Sequence, residues 1–184
     1  TAVTFCFCFL FFGGNLASGG WIAIVAALLA GAAYGAVNGF IHAKLMIPSF
    51  MSSLAMGFVG VGATVLLTGG GIVRIDDDVF RSLLTYRLQG FPLMVYVAGF
   101  FLVVGILIQK FTVLGRNLYA IGGAEDLAAA SGVPVQRTRI LAFSLAGFYY
   151  ALAGILQVAK LGQAESVTGA NLMFLSITAA VVGG

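Results

Sequence analysis

Few side chains in this sequence have the types and spacing that bond chemistry or metal binding requires. The acidic run at 76–78 lacks the alternating acids, central glycine and distal glutamate of an EF-hand calcium loop. His42 is the single histidine and has no partner acid or cysteine close to it in sequence. Cys6 and Cys8 lie in an apolar run at a spacing that suits neither a disulfide nor a zinc site. We therefore predict no catalytic residue and no metal site, and we interpret the acidic run as a solvated outer loop.

The composition indicates that lipid, rather than water, is the main solvent of the chain. Of its 184 residues, 61% are hydrophobic and only 8% are charged, with a mean hydropathy of +1.09, whereas about 25% of the residues of a soluble domain are charged. The net charge of +3 comes from Lys and Arg residues scattered between apolar runs. They form no basic face, so no nucleic-acid partner is expected.

The apolar runs predict a polytopic helical membrane protein. A helix needs about 20 residues to cross a bilayer, and four runs have that length: 21–41, 48–70, 91–109 and 140–159. Backbone groups have no water partners in hydrocarbon, so these runs must close their hydrogen bonds as helices. The apolar stretches 1–12 and 172–184 are shorter. We predict an all-α transmembrane helix bundle with about four complete and two partial membrane helices, with residues 1–184 as a fragment of one transmembrane domain.

Charge is absent from the middle of the predicted spans. The four complete runs contain no Asp, Glu, Lys or Arg, although ion pumps and proton-coupled carriers usually keep such residues there. No lysine follows a glycine, so the sequence has no phosphate-binding P-loop either. We therefore expect the energy for any transport to come from elsewhere.

Basic residues orient the chain in the membrane. The connections alternate sides, which places 42–47 and 110–139 together. Four basic residues lie near the ends of the longer connection: Lys110, Arg116, Arg137 and Arg139. Because basic residues close to the membrane favour the inner side, we predict that 110–139 is cytoplasmic.

Small residues recur at four-residue spacing along the first complete span. They are Ala23, Ala27, Gly31, Gly35 and Gly39. Such a stripe lets another helix approach closely, because helices in lipid associate through van der Waals contact. We predict that this stripe is a helix-packing surface.

A few polar side chains lie close to the start of the second span. Asn38 is near the end of the stripe, where its amide could bond across helices or face a water-filled path. Ser49, Ser52 and Ser53 follow Pro48, and their hydroxyls could cap the helix, bond back to it or line a polar cavity. Asn38, Ser49 and Ser53 are therefore candidates for a substrate pathway.

The connection 110–139 contains a short helix with both ends marked. Glu125 and Asp126 suit the positive end of the helix dipole, and Gly132 with Pro134 ends the helix. A simple connector would need far fewer than these roughly thirty residues. We therefore interpret the helix at 124–132 as a docking element, although an ordinary structured loop remains the alternative.

Four stretches of the chain resemble the permeases of ABC importers for ribose, galactose and related sugars, a group whose relatives include branched-chain amino-acid permeases. In chain order they are GAVNGFIHAKLMIPSFMSSLAM, FTVLGRNLYAIGGAEDLAAASGVPV, LAFSLAGFYYALAGILQVAKLGQA and ITAAVVGG. The paired glycines at 122–123 and the LTGGG run at 67–71 resemble the sugar branch more than the amino-acid branch.

The resemblance implies a non-enzymatic transport subunit in a bacterial plasma membrane. Its implied partners are an ATP-binding subunit that holds ATP and Mg, an extracellular or periplasmic solute-binding protein, a second permease subunit and the lipid bilayer. The short helix would be the coupling helix that enters a cleft of the ATPase, with Ala128 inside that cleft. The residues implied in coupling are Glu125, Asp126, Leu127, Ala128, Ser131 and Gly132.

Three positions depart from the family pattern, and several functions stay open. The family usually has Asn at Ala124, Arg at Ala129 and an acid at Asn171, so the polar contacts to the ATPase are expected to differ. The alternatives are an ABC permease for branched-chain amino acids or nucleosides, an ATP-independent carrier or channel, and a membrane enzyme. An enzyme would need an acid, base or nucleophile constellation, which the sequence does not offer.

Overall fold

A computed structural model describes residues 20–45, 47–69, 71–74, 86–88, 91–164, 175, 178–179 and 181–183. Several sequence-based expectations lie outside these residues: those on Cys6 and Cys8, on the segment 1–12, on the acidic run, on Asn171 and on most of 172–184.

Four helices of the described residues are long and apolar enough to cross a membrane. They are α1 (Gly20–Leu45), α2 (Ser49–Thr68), α3 (Leu93–Phe111) and α6 (Val135–Leu161). This confirms the predicted all-α, polytopic helix bundle. The predicted bounds are wrong by a few residues, and most at α6, which begins at Val135 rather than at 140. Hydropathy marks only the part that crosses lipid, while the helix continues beyond it as long as its backbone stays paired.

The connection 110–139 is mostly helical, which corrects its description as a loop with one short helix. Helix α4 (Val113–Gly123) follows α3 directly, and α5 (Glu125–Ala130) follows α4. The side chain of Thr112 caps α4, because its Oγ1 accepts a hydrogen bond from the Gly115 amide at 3.3 Å. Threonine is a favoured residue at helix starts, so Thr112 is a local signal for α4 that the sequence-based prediction did not include.

Helices α1 and α6 form the packed centre of the described structure. Ala23 and Ala27 of α1 are buried, as are Ala151, Ile155 and Val158 of α6. In contrast, α3 has no buried residue, and α2 exposes large apolar side chains such as Phe58 and Leu66. Exposed apolar surface on long helices suits lipid or further helices.

Two short strand pairs lie in the connections outside the long helices. Strand β1 (Val73–Arg74) pairs antiparallel with β4 (Gln163–Ala164), and β2 (Arg87–Leu88) pairs with β3 (Phe91–Pro92). Because β1 follows α2 and β4 follows α6, their pairing places the ends of α2 and α6 on one side. This agrees with the alternation of connections expected from the sequence.

Candidate functional site

Helix α5 ends in a Schellman motif that requires glycine. Gly132 has φ +82°, a left-handed conformation that other residues rarely adopt. Its amide donates to the Ala129 carbonyl at 3.0 Å, and the Val133 amide donates to the Ala128 carbonyl at 3.1 Å. These two bonds satisfy carbonyls at the end of α5 and turn the chain toward α6.

Ser131 forms two further hydrogen bonds at the end of α5. Its Oγ donates to the Leu127 carbonyl at 2.7 Å, and its amide donates to the same oxygen at 3.0 Å. The hydroxyl therefore serves the backbone of its own helix, a common use of serine at helix ends.

The structure buries Ala128, the residue that the resemblance places inside the ATPase cleft. This side chain is only 5% exposed in the chain by itself, whereas the neighbouring Leu127 is 70% exposed. Ala128 therefore packs inside the chain, and Leu127 is the apolar side chain of α5 that a partner could cover. Periodicity could not separate the two, because both are apolar and adjacent.

Glu125 joins α5 to the first turns of α6. Its Oε2 accepts a hydrogen bond from Nη2 of Arg139 at 2.6 Å, the one salt bridge within the part of the chain that the structure describes. Asp126, the other acid of the first turn, is exposed and forms no such pair there. From the sequence alone, Glu125 is a first-turn acid and Arg139 a charge beside the membrane, and the fourteen positions between them give no sign of the pair.

The small-residue stripe of α1 lies against α6. A Cβ on Gly31 would meet the Ala151 Cβ at 2.5 Å, and one on Gly35 would meet the Gly147 Cα at 3.0 Å. Gly147 faces the stripe in turn, since a Cβ there would meet the Gly35 amide nitrogen at 3.1 Å. The two backbones approach so closely that neither glycine has room for a side chain.

The end of α1 reaches the start of α6 in the same way. A Cβ on Gly39 would meet the Ile140 Cα at 3.0 Å, and the His42 ring lies 5.5 Å from the Phe143 ring, centroid to centroid. Nδ1 of His42 is 2.6 Å from the Ile47 carbonyl, which ties the ring to the turn between α1 and α2. The contacts of the His42 ring are therefore structural, since they join α1 to α6 and to the turn before α2.

Asn38 bonds across the α1–α2 hairpin. Its Nδ2 donates to Ser53 Oγ at 3.3 Å, and its Oδ1 accepts from Ser52 Oγ at 3.1 Å. Ser52 is buried, and the Ser49 carbonyl oxygen, 3.3 Å from its Oγ, is the alternative acceptor for its single hydroxyl hydrogen. No side chain caps the start of α2 at Pro48. The Ser49 side chain is exposed, so of the three pathway candidates the structure joins Asn38 and Ser53 only.

An open, largely apolar cleft lies between α3, α4 and α6. Its volume is about 780 Å³. Its polar lining comes chiefly from Gln109, Tyr119 and Tyr149, and Gln109 donates to the Tyr119 hydroxyl at 3.1 Å. None of the pathway candidates lines it. No group of His, Cys, Asp and Glu among the described residues could hold a metal ion.

Comparison with known proteins assigns the family. Residues 2–184 match the family described as branched-chain amino acid transport system / permease component. The chain is 35% identical over 167 residues to the ribose import permease protein RbsC of Escherichia coli strain K12, covering 89% of this chain and 52% of that relative. No solved structure matches.

Two further relatives carry related names. The L-arabinose transport system permease protein AraH of Escherichia coli strain K12 is 36% identical over 171 residues, covering 92% of this chain and 52% of AraH. The autoinducer 2 import system permease protein LsrC of Enterobacter sp. strain 638 is 34% identical over 165 residues, covering 89% of this chain and 48% of LsrC.

The resemblance to sugar permeases is thereby confirmed. The chain spans about half the length of these curated relatives. The family match covers nearly all of the chain, and the described structure supplies helices long enough to cross a membrane. The chain is a multi-pass membrane protein that belongs to the permease family of branched-chain amino acid transport systems, alongside relatives named for ribose, L-arabinose and autoinducer 2.

Proposed function

We propose that this chain is part of the transmembrane permease subunit of an ABC importer that moves a sugar across the plasma membrane. The observation that carries the proposal is its identity of about one third to permeases named for ribose and L-arabinose. The exposed Leu127 on a short helix outside the long apolar helices adds a surface that an ATPase subunit could cover. Residues 1–184 form part of one transmembrane domain, with 110–139 on its cytoplasmic side.

In this proposal the chain performs no bond chemistry. ATP and Mg bind to a partner ATPase, a solute-binding protein delivers the sugar from outside, and a second permease subunit completes the pathway. Helix α5 is the docking helix. Closure of the ATPases moves α5 and with it the packed bundle, which changes the side from which the pathway opens.

A sugar is favoured over a branched-chain amino acid as substrate. The family description refers to amino acids, but the relatives cited above are named for ribose, L-arabinose and autoinducer 2. Pentoses are therefore the first substrates to test, with leucine as the competing compound.

The proposal is tested with the full-length permease co-expressed with its ATPase and binding protein and reconstituted in proteoliposomes. We expect ATP-dependent uptake of labelled D-ribose or L-arabinose that unlabelled leucine does not reduce. Leu127→Ser should weaken co-purification of the ATPase, because it removes apolar area from the contact. Ala130→Ser, an exposed position on the same helix, is the matched control and should bind the ATPase normally.

Two results would contradict the proposal. Uptake that proceeds without any ATPase would make the chain an independent carrier. Uptake of leucine without uptake of either pentose would assign it to the amino-acid branch.

A further inference from the structure

Helix α5 is too short to keep its own orientation. It has six residues, and isolated helices below about 12 residues are marginal in water. Something else in the chain must therefore position it if a partner is to transmit force through it. Ala124 links it directly to α4, and two attachments lead to α6: the Schellman turn at Gly132 and the Glu125–Arg139 salt bridge.

These two attachments hold opposite ends of α5. Gly132 follows its last turn, while Glu125 is its first residue. Both lead to α6, because the turn runs into Pro134 at the start of α6 and Arg139 lies within that helix. The ion pair therefore holds to α6 the end of α5 that the turn at Gly132 does not reach.

Helix α6 in turn packs closely along α1. Gly35 and Gly147 bring the two backbones into contact. The Ser144 Oγ donates to the Ala32 carbonyl at 3.1 Å, which adds a hydrogen bond between the same helices. Any displacement of α5 that reaches α6 is therefore passed to α1 as well.

We infer that Glu125 and Arg139 are positioning residues that clamp the docking helix to the close-packed α1–α6 pair, which moves as one body when the ATPase acts. This inference rests on the proposed function and adds to it the route by which motion enters the bundle. The salt bridge is partly exposed, with 27% of the Arg139 side chain and 49% of the Glu125 side chain accessible. Its contribution to overall stability is therefore small, and its effect is on geometry.

The test measures substrate imported per ATP hydrolysed in proteoliposomes, with D-ribose and L-arabinose as probes. Glu125→Gln and Arg139→Gln should each lower this ratio by about two- to fivefold, the range expected for loss of one exposed pair. The double variant should be no worse than either single variant, because both remove the same bond. Arg139→Lys should recover part of the ratio, since it keeps the charge.

Matched controls separate positioning from general charge effects. Arg137→Gln removes the neighbouring base of α6, and Gln136→Ala shortens an exposed side chain beside it; neither residue takes part in the described salt bridge. Both controls should keep the wild-type ratio. Thermal stability should stay close to that of the wild type in all variants, because an exposed pair contributes little to it, so a lowered ratio cannot be assigned to unfolding.

Failure of the Glu125–Arg139 clamp and failure of the proposed function give different results. If the wild-type complex imports pentoses but the Glu125 and Arg139 variants match it, the inference fails and the proposed function stands. Additive losses in the double variant, or equal losses in the two controls, would likewise overturn the inference. If the wild-type complex shows no ATP-driven uptake at all, the proposed function fails and takes the inference with it.

Discussion

Gly35 shows how one hydrogen atom in place of a side chain sets the distance between two membrane helices. A Cβ at this position would meet the Phe143 carbonyl oxygen and would lie 3.0 Å from the Gly147 Cα. Both are backbone atoms, which cannot rotate away as the end of a side chain could. The helices themselves would have to separate to admit a larger residue.

We therefore expect Gly35→Leu to lower the stability of the folded permease by about 1–3 kcal/mol or more, the cost of overpacking a close contact. Gly62→Leu is the control, because a Cβ at Gly62 meets nothing within 4 Å. Thermal unfolding in detergent measures both. An unchanged Gly35→Leu variant would mean that the α1–α6 contact is absent from the folded protein.

A variant of Asn38 can distinguish a structural role of this side chain from a role in substrate binding. Its amide already bonds Ser52 and Ser53. We expect Asn38→Leu to reduce thermal stability by about 1 kcal/mol, typical of hydrogen bonds between membrane helices, with the KM for pentose uptake unchanged. A raised KM at normal stability would instead place Asn38 in the substrate pathway.

At the scale of the element, Gly132 determines how α5 ends. At its φ of +82°, a residue other than glycine would cost about 1 kcal/mol or more of conformational free energy. We expect Gly132→Ala to reduce pentose uptake per ATP hydrolysed while leaving membrane insertion intact. Gly122→Ala, on a helix and with open space at its Cβ, should behave like the wild type. Equal uptake by both variants would show that the turn does not orient α5.

The elements differ in how far the sequence alone could predict them. The four long helices were predictable because apolar runs of span length allow little else in lipid. The stripe from Ala23 to Gly39 also indicated a packing surface, but the sequence could not identify Gly147 as its partner. That pairing depends on which helices become neighbours, and no local pattern encodes it.

For the short helix α5, the sequence predicted the helix itself but not which of its side chains are exposed. Gly132 and the first-turn acids were enough to predict α5, since helix ends have local chemistry. The exposure of Leu127 and the burial of Ala128 were not predictable, because in two turns of helix the inward face depends on the neighbouring α4 and α6. The bond between Glu125 and Arg139 likewise needs the turn between them.

The predicted orientation of the chain across the membrane depends on its basic residues and on which connections lie on the same side. The β1–β4 pair joins the ends of α2 and α6 on one side, and α4 and α5 lie at the start of α6 on the other. We expect Ser131→Cys, in a background without Cys6 and Cys8, to resist an impermeant thiol reagent in intact cells. Ile72→Cys, exposed and next to β1, should react. Labelling of Ser131→Cys but not of Ile72→Cys would show that the predicted orientation across the membrane is reversed.

Under the proposed function, α5 docks on an ATPase subunit through Leu127. A photo-crosslinking amino acid placed at Leu127 of the full-length permease tests this most directly in membranes that contain the complete transporter. The same group at Leu66, exposed near the opposite end of α2, is the control. We predict a specific adduct with the ATPase from position 127 and none from position 66. No adduct from position 127, or an equal adduct from both positions, would show that α5 does not dock on the ATPase through Leu127.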